Sequence, residues 1–187
     1  RVLDQRTRYV TLVLEDIYQS QNTSAVIRTC ECLGLQDVHV IETNSEWTTN
    51  KLVLKGSNKW LNIQRYRKKN NNNTADCFQA LRGRGYRIAV TDPAGGTPIG
   101  EVPLDQPLAI VMGNERHGSS AYALSQADLA VTIPMTGFTE SMNISVSAAV
   151  RAACVGGWAA LYLVGVSFSA VLLVSFGTSW AHAPSVL

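Results

Sequence analysis

Three short stretches of this chain place polar side chains at spacings that a fold could turn to chemistry. The first is Asn22-Thr23-Ser24-Ala25-Val26-Ile27-Arg28-Thr29, which reads as the opening of a helix with Asn22 as its cap. Arg28 projects from the second turn between apolar Ile27 and Cys30. An arginine on a packed helix either faces solvent or is kept there to pair or to work. The second stretch is Val111-Met112-Gly113-Asn114-Glu115-Arg116-His117-Gly118, an apolar run entering a glycine-bracketed polar turn. The third is Ile133–Ala149, where a short apolar run meets Pro134, a loop holding Gly137, and then a helix opening with small polar residues. Ser141, Ser145 and Ala148 fall at i, i+4 and i+7 and share one face, which lets a backbone or a flat ligand approach closely. Asn143 lies in the first turn, where free backbone N–H groups and a side-chain amide can hold a polar group. Taken alone, this composition also describes an ordinary strand-to-helix junction.

Positioning such residues requires elements, and the hydrophobic pattern predicts them. Apolar, β-branched runs recur at Tyr9–Leu14, Val38–Ile41, Tyr86–Thr91, Leu108–Met112 and Leu129–Ile133, with Leu61–Tyr66 a weaker sixth. Runs of that length suit strands buried on both faces. Helical patterns lie between them: Ser24–Leu33 stopped by Gly34, Thr74–Arg82 stopped by Gly83 and Gly85, and Ser119–Gln126 opened by Ser119. Strand alternating with helix predicts an α/β fold, a mostly parallel sheet flanked by helices. Ligands of such sheets sit beyond the carboxyl ends of the strands. Those positions read Glu15-Asp16, Glu42-Thr43, Thr91-Asp92-Pro93, Gly113-Asn114-Glu115 and Pro134-Met135.

At 187 residues and a net charge of +2, composition neither requires nor excludes a nucleic-acid partner. The distribution of charge says more. Lys51, Lys55, Lys59, Arg65, Arg67, Lys68 and Lys69 follow one another with no acidic residue between them. That is either a phosphate-facing stripe or a solvated surface. Neither a dinucleotide fingerprint nor a phosphate-loop motif is present, since Gly83-Arg84-Gly85 lacks a third glycine and precedes a strand. Cys30 and Cys32 point different ways on one helix, and neither they nor His39, His117 and His182 have metal-ligand spacing, so no metal is expected. The cysteines read as reduced and structural, no secretory signal is visible, and a cytoplasmic location is expected.

Together, in this order and at this spacing, the three stretches resemble the SpoU–TrmH family of RNA 2′-O-ribose methyltransferases. The family pattern Asn-x-x-x-x-x-Arg-Thr is met by Asn22, Arg28 and Thr29. Met-Gly-x-Glu-x-x-Gly is met by Met112, Gly113, Glu115 and Gly118. Ile-Pro-Met followed by Ser-Leu-Asn-Val-Ser is met by Ile133, Pro134, Met135, Ser141, Asn143 and Ser145, with Met142 and Ile144 as conservative replacements. The resemblance covers about Val2 to Val150. It implies a SPOUT domain over residues 1–150 with a C-terminal trefoil knot, S-adenosylmethionine as cofactor, and a homodimer that completes the site. It also implies that Arg28 is the catalytic arginine and that Asn22, Glu115, Ser141 and Asn143 arrange arginine, substrate and knot loops. Thr91, Gly113, Ile133 and Met142 match positions lining the methyl-donor pocket. Val13-Leu14-Glu15-Asp16-Ile17-Tyr18 and Gly137-Phe138-Thr139-Glu140 look most like the branch that methylates the D-loop guanosine, position 18, of tRNA. That branch carries flanking helices outside the knot domain. Of the N-terminal flank, only Arg1–Arg8 stands in this chain.

The chemistry so implied needs a ribose 2′-hydroxyl in line with a sulfonium methyl, held at attack distance in a poorly solvated pocket. Arginine holds its proton tightly, so two roles for Arg28 stay open: a base pushed toward neutrality, or a cation that clamps a phosphate and stabilises the forming alkoxide. Two other functional readings stand beside this one, a catalytically idle RNA-binding dimer and the same chemistry on ribosomal RNA. After Arg151 the chain carries no charged residue, and Ala152–Phe176 as a helix would be long enough to span a bilayer. An altered C-terminus, a membrane helix, or a tail buried in the dimer would each explain it. The glycines and serines scattered through 151–187 speak against the membrane.

Overall fold

The computed structural model describes residues 2–138 and 142–149. Its frame is a seven-stranded sheet with spatial order β3-β2-β1-β6-β4-β7-β5. In chain order the elements are β1 (Val10–Glu15), α1 (Ser20–Cys32), β2 (Asp37–Ile41), α2 (Lys51–Leu54), β3 (Asn62–Tyr66), α3 (Asn73–Arg82) and β4 (Arg87–Thr91). They continue with β5 (Thr97–Pro98), β6 (Leu108–Met112), α4 (Ala121–Ser125) and β7 (Leu129–Thr132), and residues 144–149 are again helical. Every pairing is parallel, so all the carboxyl ends lie on one edge.

Burial on both faces explains why the central strands read as continuous apolar runs. All six residues of β1 and all five of β6 are buried. Successive side chains then divide between two cores. Val10, Leu12 and Leu14 join Leu108, Ile110 and Met112 on the face covered by Val26, Ile27 and Cys30 of α1, and Ile144 and Ala148 close that core. Val13, Ala109 and Val111 face the other way, onto Cys77, Phe78 and Leu81 of α3. Ala148 is fully buried, as its small-residue face predicts.

Boundaries differ from the pattern in instructive ways. The first helix begins at Ser20, not at Ser24, and Asn22 is a buried first-turn residue rather than its cap. α4 is capped by Ser120, whose hydroxyl accepts from the Ala123 N–H, rather than by Ser119. The weaker sixth run is a true strand, β3, at the edge of the sheet. Two-residue β5 and four-residue α2 had no period long enough to announce them. The stop at Gly34 holds: its φ is +73°, and a Cβ there would lie 2.9 Å from the Gln5 carbonyl oxygen.

One buried group makes this fold acid-sensitive. His39 on β2 is 1 % exposed, its Nδ1 lies 3.1 Å from the Tyr66 hydroxyl, and its Nε2 has no partner among the described residues. Burial, reinforced by the Arg84 charge and opposed by Asp37, pushes its pKa from 6.5 down to about 4. The folded state therefore refuses a proton that the unfolded chain accepts, so stability is full above pH 6.5 and declines as pH falls toward 4. The loss expected across that window is about 3 kcal/mol. The Asp37, Glu42 and Glu115 carboxyls are held below their usual range, so their contributions fade only at lower pH. Urea unfolding at pH 7.5, 6 and 5 is expected to show this slope for the parent and a flatter one for His39→Leu.

Candidate functional site

The order of the sheet reverses at β1, with β2 on one side and β6 on the other. That switch point is where a doubly covered parallel sheet leaves a crevice beyond its carboxyl ends. Leu14 pairs with Met112, which sets Glu15-Asp16 beside Gly113-Asn114 at the carboxyl edge.

After β6 the chain turns back on itself, with Asn114 and Gly118 exchanging backbone hydrogen bonds of 2.9 Å in both directions. Gly113 enters this turn so closely packed that a Cβ would overlap the backbone of Gly118 and Ser119. The turn is tied to β1 at both ends. The Asn114 amide donates to the Asp16 carbonyl at 2.6 Å. Buried Glu15 accepts from the Ser120 N–H at 2.9 Å and its hydroxyl at 2.8 Å, and from Thr74 of α3 at 2.9 Å. The Asp16 carboxylate also accepts from the N–H groups of Thr43, Asn44 and Ser45, anchoring the loop after β2. Glu15 and Asp16 are thus residues whose role the sequence left unassigned. Two successive carboxylates at the end of a mostly apolar strand were the available signal.

Fastened in this way, the turn aims Glu115 at the start of α1. Its carboxylate accepts from Asn22 Nδ2 at 2.9 Å and from the N–H groups of Tyr18 at 3.0 Å and Gln19 at 3.3 Å. Burial pushes the Glu115 carboxyl up, but these donors outweigh it and hold the pKa below the usual carboxylate range. Asn22 Oδ1 in turn accepts from Asn143 Nδ2 at 3.1 Å. Asn143 caps the helix over 144–149, its Oδ1 accepting from the Ser145 N–H at 2.9 Å and hydroxyl at 2.6 Å. A single hydrogen-bonded chain, Glu115–Asn22–Asn143–Ser145, therefore joins all three sequence stretches. Glu115→Ala would take one charged acceptor from three donors, of which Asn22 keeps Gln19 Oε1, and a loss of about 1–3 kcal/mol in urea unfolding is expected.

Arg28 is exposed on α1 and makes no ion pair among the described residues. Thr91 ends β4, its carbonyl accepting from the Ser119 hydroxyl at 2.9 Å. Ile133 follows β7 and packs half-buried on the core, and Met142 is half-buried before the last helix. The carboxyl ends of β4, β6 and β7 thus bring Thr91, Gly113 and Ile133 to one rim. Ser141 and residues 151–187 lie outside the described residues. The rim residues Thr91, Gly113 and Ile133 are uncharged. Among the described residues no group of His, Cys, Asp or Glu is placed to hold a metal, and no helix is long and apolar enough to cross a membrane. Arg116 lies over the Tyr18 ring at 4.9 Å, at the mouth of the same turn.

A model of the SpoU rRNA Methylase family matches residues 9–153. The chain belongs to that family. This SpoU methylase is 45 % identical over 151 residues to the tRNA (guanosine(18)-2′-O)-methyltransferase of Borreliella burgdorferi, covering 80 % of this chain and 67 % of that protein. It is 31 % identical to the enzyme of the same name from Escherichia coli K12 over 149 residues, covering 79 % of this chain and 63 % of that one. The chain thus spans about two thirds of the length of these relatives. Among solved structures, the Aquifex aeolicus TrmH/SpoU tRNA modifying enzyme has the same fold, with a TM-score of 0.76 at 22 % identity, covering 97 % of this chain and 94 % of that one. AviRb from Streptomyces viridochromogenes, solved in complex with the cofactor AdoMet, shares the fold at a TM-score of 0.66 and 22 % identity over 82 % of this chain and 58 % of that one.

Proposed function

We propose that this SpoU methylase transfers a methyl group from S-adenosylmethionine to a ribose 2′-hydroxyl of RNA, and that its substrate is the D-loop guanosine, position 18, of tRNA. The observation that carries this reading is the Glu115–Asn22–Asn143 chain, which gathers the three stretches at the carboxyl edge of the sheet and fastens the helix that bears Arg28. The relatives at 45 % and 31 % identity, both named for this reaction, support the choice of tRNA.

When bound, the cofactor supplies an electrophilic methyl group. The chain's own residues do the rest. Gly113, Thr91, Ile133 and Met142 line the donor pocket and exclude water from it. Arg28 meets the ribose hydroxyl and its neighbouring phosphate. Glu115 and Asn22 hold the first turn of α1, and with it the direction from which Arg28 reaches. Asn143 keeps the last helix in register with α1, and the family pattern alone gives Ser141 its role in arranging the substrate. Beyond these residues, the proposal includes a trefoil knot formed by the segment after β7, a homodimer that completes the site, and a place in the cytoplasm beside tRNA. The three described cysteines are free thiols, in keeping with a reducing compartment.

The test is transfer of labelled methyl from S-adenosylmethionine to unmodified tRNA, with unmodified ribosomal RNA alongside. An alkali-resistant, 2′-O-methylated dinucleotide from the tRNA D-loop is expected. Label on a base, or on ribosomal RNA alone, overturns the reading, and cofactor binding without turnover points to the idle RNA-binding dimer.

A further inference from the structure

We infer that the cations along the β3 edge form an RNA-docking path that leads away from Arg28; this rests on the tRNA reading above. The seven basic residues from Lys51 to Lys69 are close to half of the chain's 16, with none of its 14 acidic residues among them. The rest of the protein therefore carries net negative charge, and this edge is where a polyanion is drawn.

Pairing separates the cations that hold the fold from those free to meet a ligand. Arg6, Arg8, Arg82, Arg84 and Arg87 each sit within 4 Å of a carboxylate, on Glu31, Asp37, Asp128, Asp37 and Asp105 respectively. Within the stripe, Arg65 grips Glu42 with two 2.7 Å hydrogen bonds and Lys68 reaches Asp76 at 2.8 Å. Lys51, Lys55, Lys59, Arg67 and Lys69 are exposed and in no ion pair among the described residues. Away from the stripe, only Arg28 and Arg116 share that condition among the described residues, and both belong to the site.

The free cations are continuous with the site through the fold. The Asn50 N–H donates to Ser24 Oγ at 2.7 Å, docking the start of α2 on α1. Ser24 stands one turn before Arg28 on the same side of α1, so Lys51 follows directly from that face. α2 then carries Lys51 and leads to Lys55, and the turn at Ser57–Trp60 carries Lys59. β3 returns the chain to the carboxyl edge, where it delivers Arg67 and Lys69. β3 lies two strands from β1, about 10 Å at the usual strand spacing, within the span of a few nucleotides.

A rival account is that the charges guard β3, an edge strand, against pairing with other chains. Their positions argue otherwise. The one cation inside β3 is Arg65, and it is spent on Glu42. The free cations stand on α2, on the turns beside it and after β3.

The experiment is tRNA binding by the full chain across a salt series, with methyl-transfer kinetics, for the parent and for Lys51, Lys55, Lys59, Arg67 and Lys69 all changed to Gln. The expected result is a tRNA KM raised at least tenfold, with kcat and S-adenosylmethionine affinity within twofold of the parent. The slope of log affinity against log salt is expected to become shallower by about 2–4, as each lost phosphate contact removes about 0.7–0.9. The five single Gln variants, each at an exposed position, are expected to divide that change among them. A parent that methylates tRNA beside a variant with unchanged KM and slope overturns the docking path alone, and aggregation of that variant would identify edge protection. A parent that neither binds nor methylates tRNA overturns the functional reading and the path together.

Discussion

Arg28→Ala is expected to lower kcat for methyl transfer on the order of 10³-fold while leaving the urea midpoint and cofactor affinity close to those of the parent. Both halves of that expectation come from its placement. Arg28 is exposed and supports no ion pair among the described residues, so its removal leaves no buried partner stranded. Yet the helix that carries it is held at its first turn by Glu115, through Asn22 and two backbone N–H groups. A side chain free of structural duty on so firmly held a base is what the proposed role of Arg28 requires. Arg28→Lys separates the kinds of help it gives. A planar fork meeting phosphate and hydroxyl together is poorly replaced by an ammonium, so recovery of less than tenfold is expected. Full activity in the lysine variant would reduce the role to a point charge, and full activity in Arg28→Ala would remove Arg28 from the mechanism. Single-turnover methyl transfer at saturating tRNA distinguishes these outcomes.

Gly113→Ala is expected to destabilise the fold by about 2–4 kcal/mol and to lose most cofactor affinity. The added methyl would overlap the backbone of Gly118 and Ser119, and backbone cannot rotate aside as a side chain can. Opening the turn would pull Ser120 from Glu15 and Asn114 from the Asp16 carbonyl. Glu115 would then lose its aim at Asn22, so the damage travels from one methyl group to all three stretches. Urea unfolding and calorimetric titration with S-adenosylmethionine check the two parts separately. Gly118 offers a contrast, since space is open around it, although its φ of +70° would strain any replacement. A Gly118→Ala variant is expected to be affected less in both measurements, and a Gly113→Ala variant as stable as the parent would show that the turn repacks.

Much of this architecture was legible because its causes are local. Strands buried on both faces must be largely apolar, and so β1, β2, β4 and β6 stood out as runs, with half-buried β7 beside them. Gly34 had to end α1, since the chain turns there through a positive φ against the Gln5 carbonyl. Elements without a full period, α2 and β5, gave no such sign. Asn22 shows the same limit within the site. Its residue type suited a cap, but the side chain turned inward because Glu115, 93 positions away, supplied a better partner.

By itself the sequence determined the residue types, their spacing and the buried faces, and with them the α/β class and the three stretches that would matter. Only the tertiary structure decided that these stretches form one hydrogen-bonded chain, that Glu15 and Asp16 clamp the turn between them, and which cations remain free. The reason is physical. Propensity and periodicity act over a few residues, whereas hydrogen bonds such as Asn143 to Asn22, 121 positions apart, exist only once the parallel strands have brought their carboxyl ends to one edge.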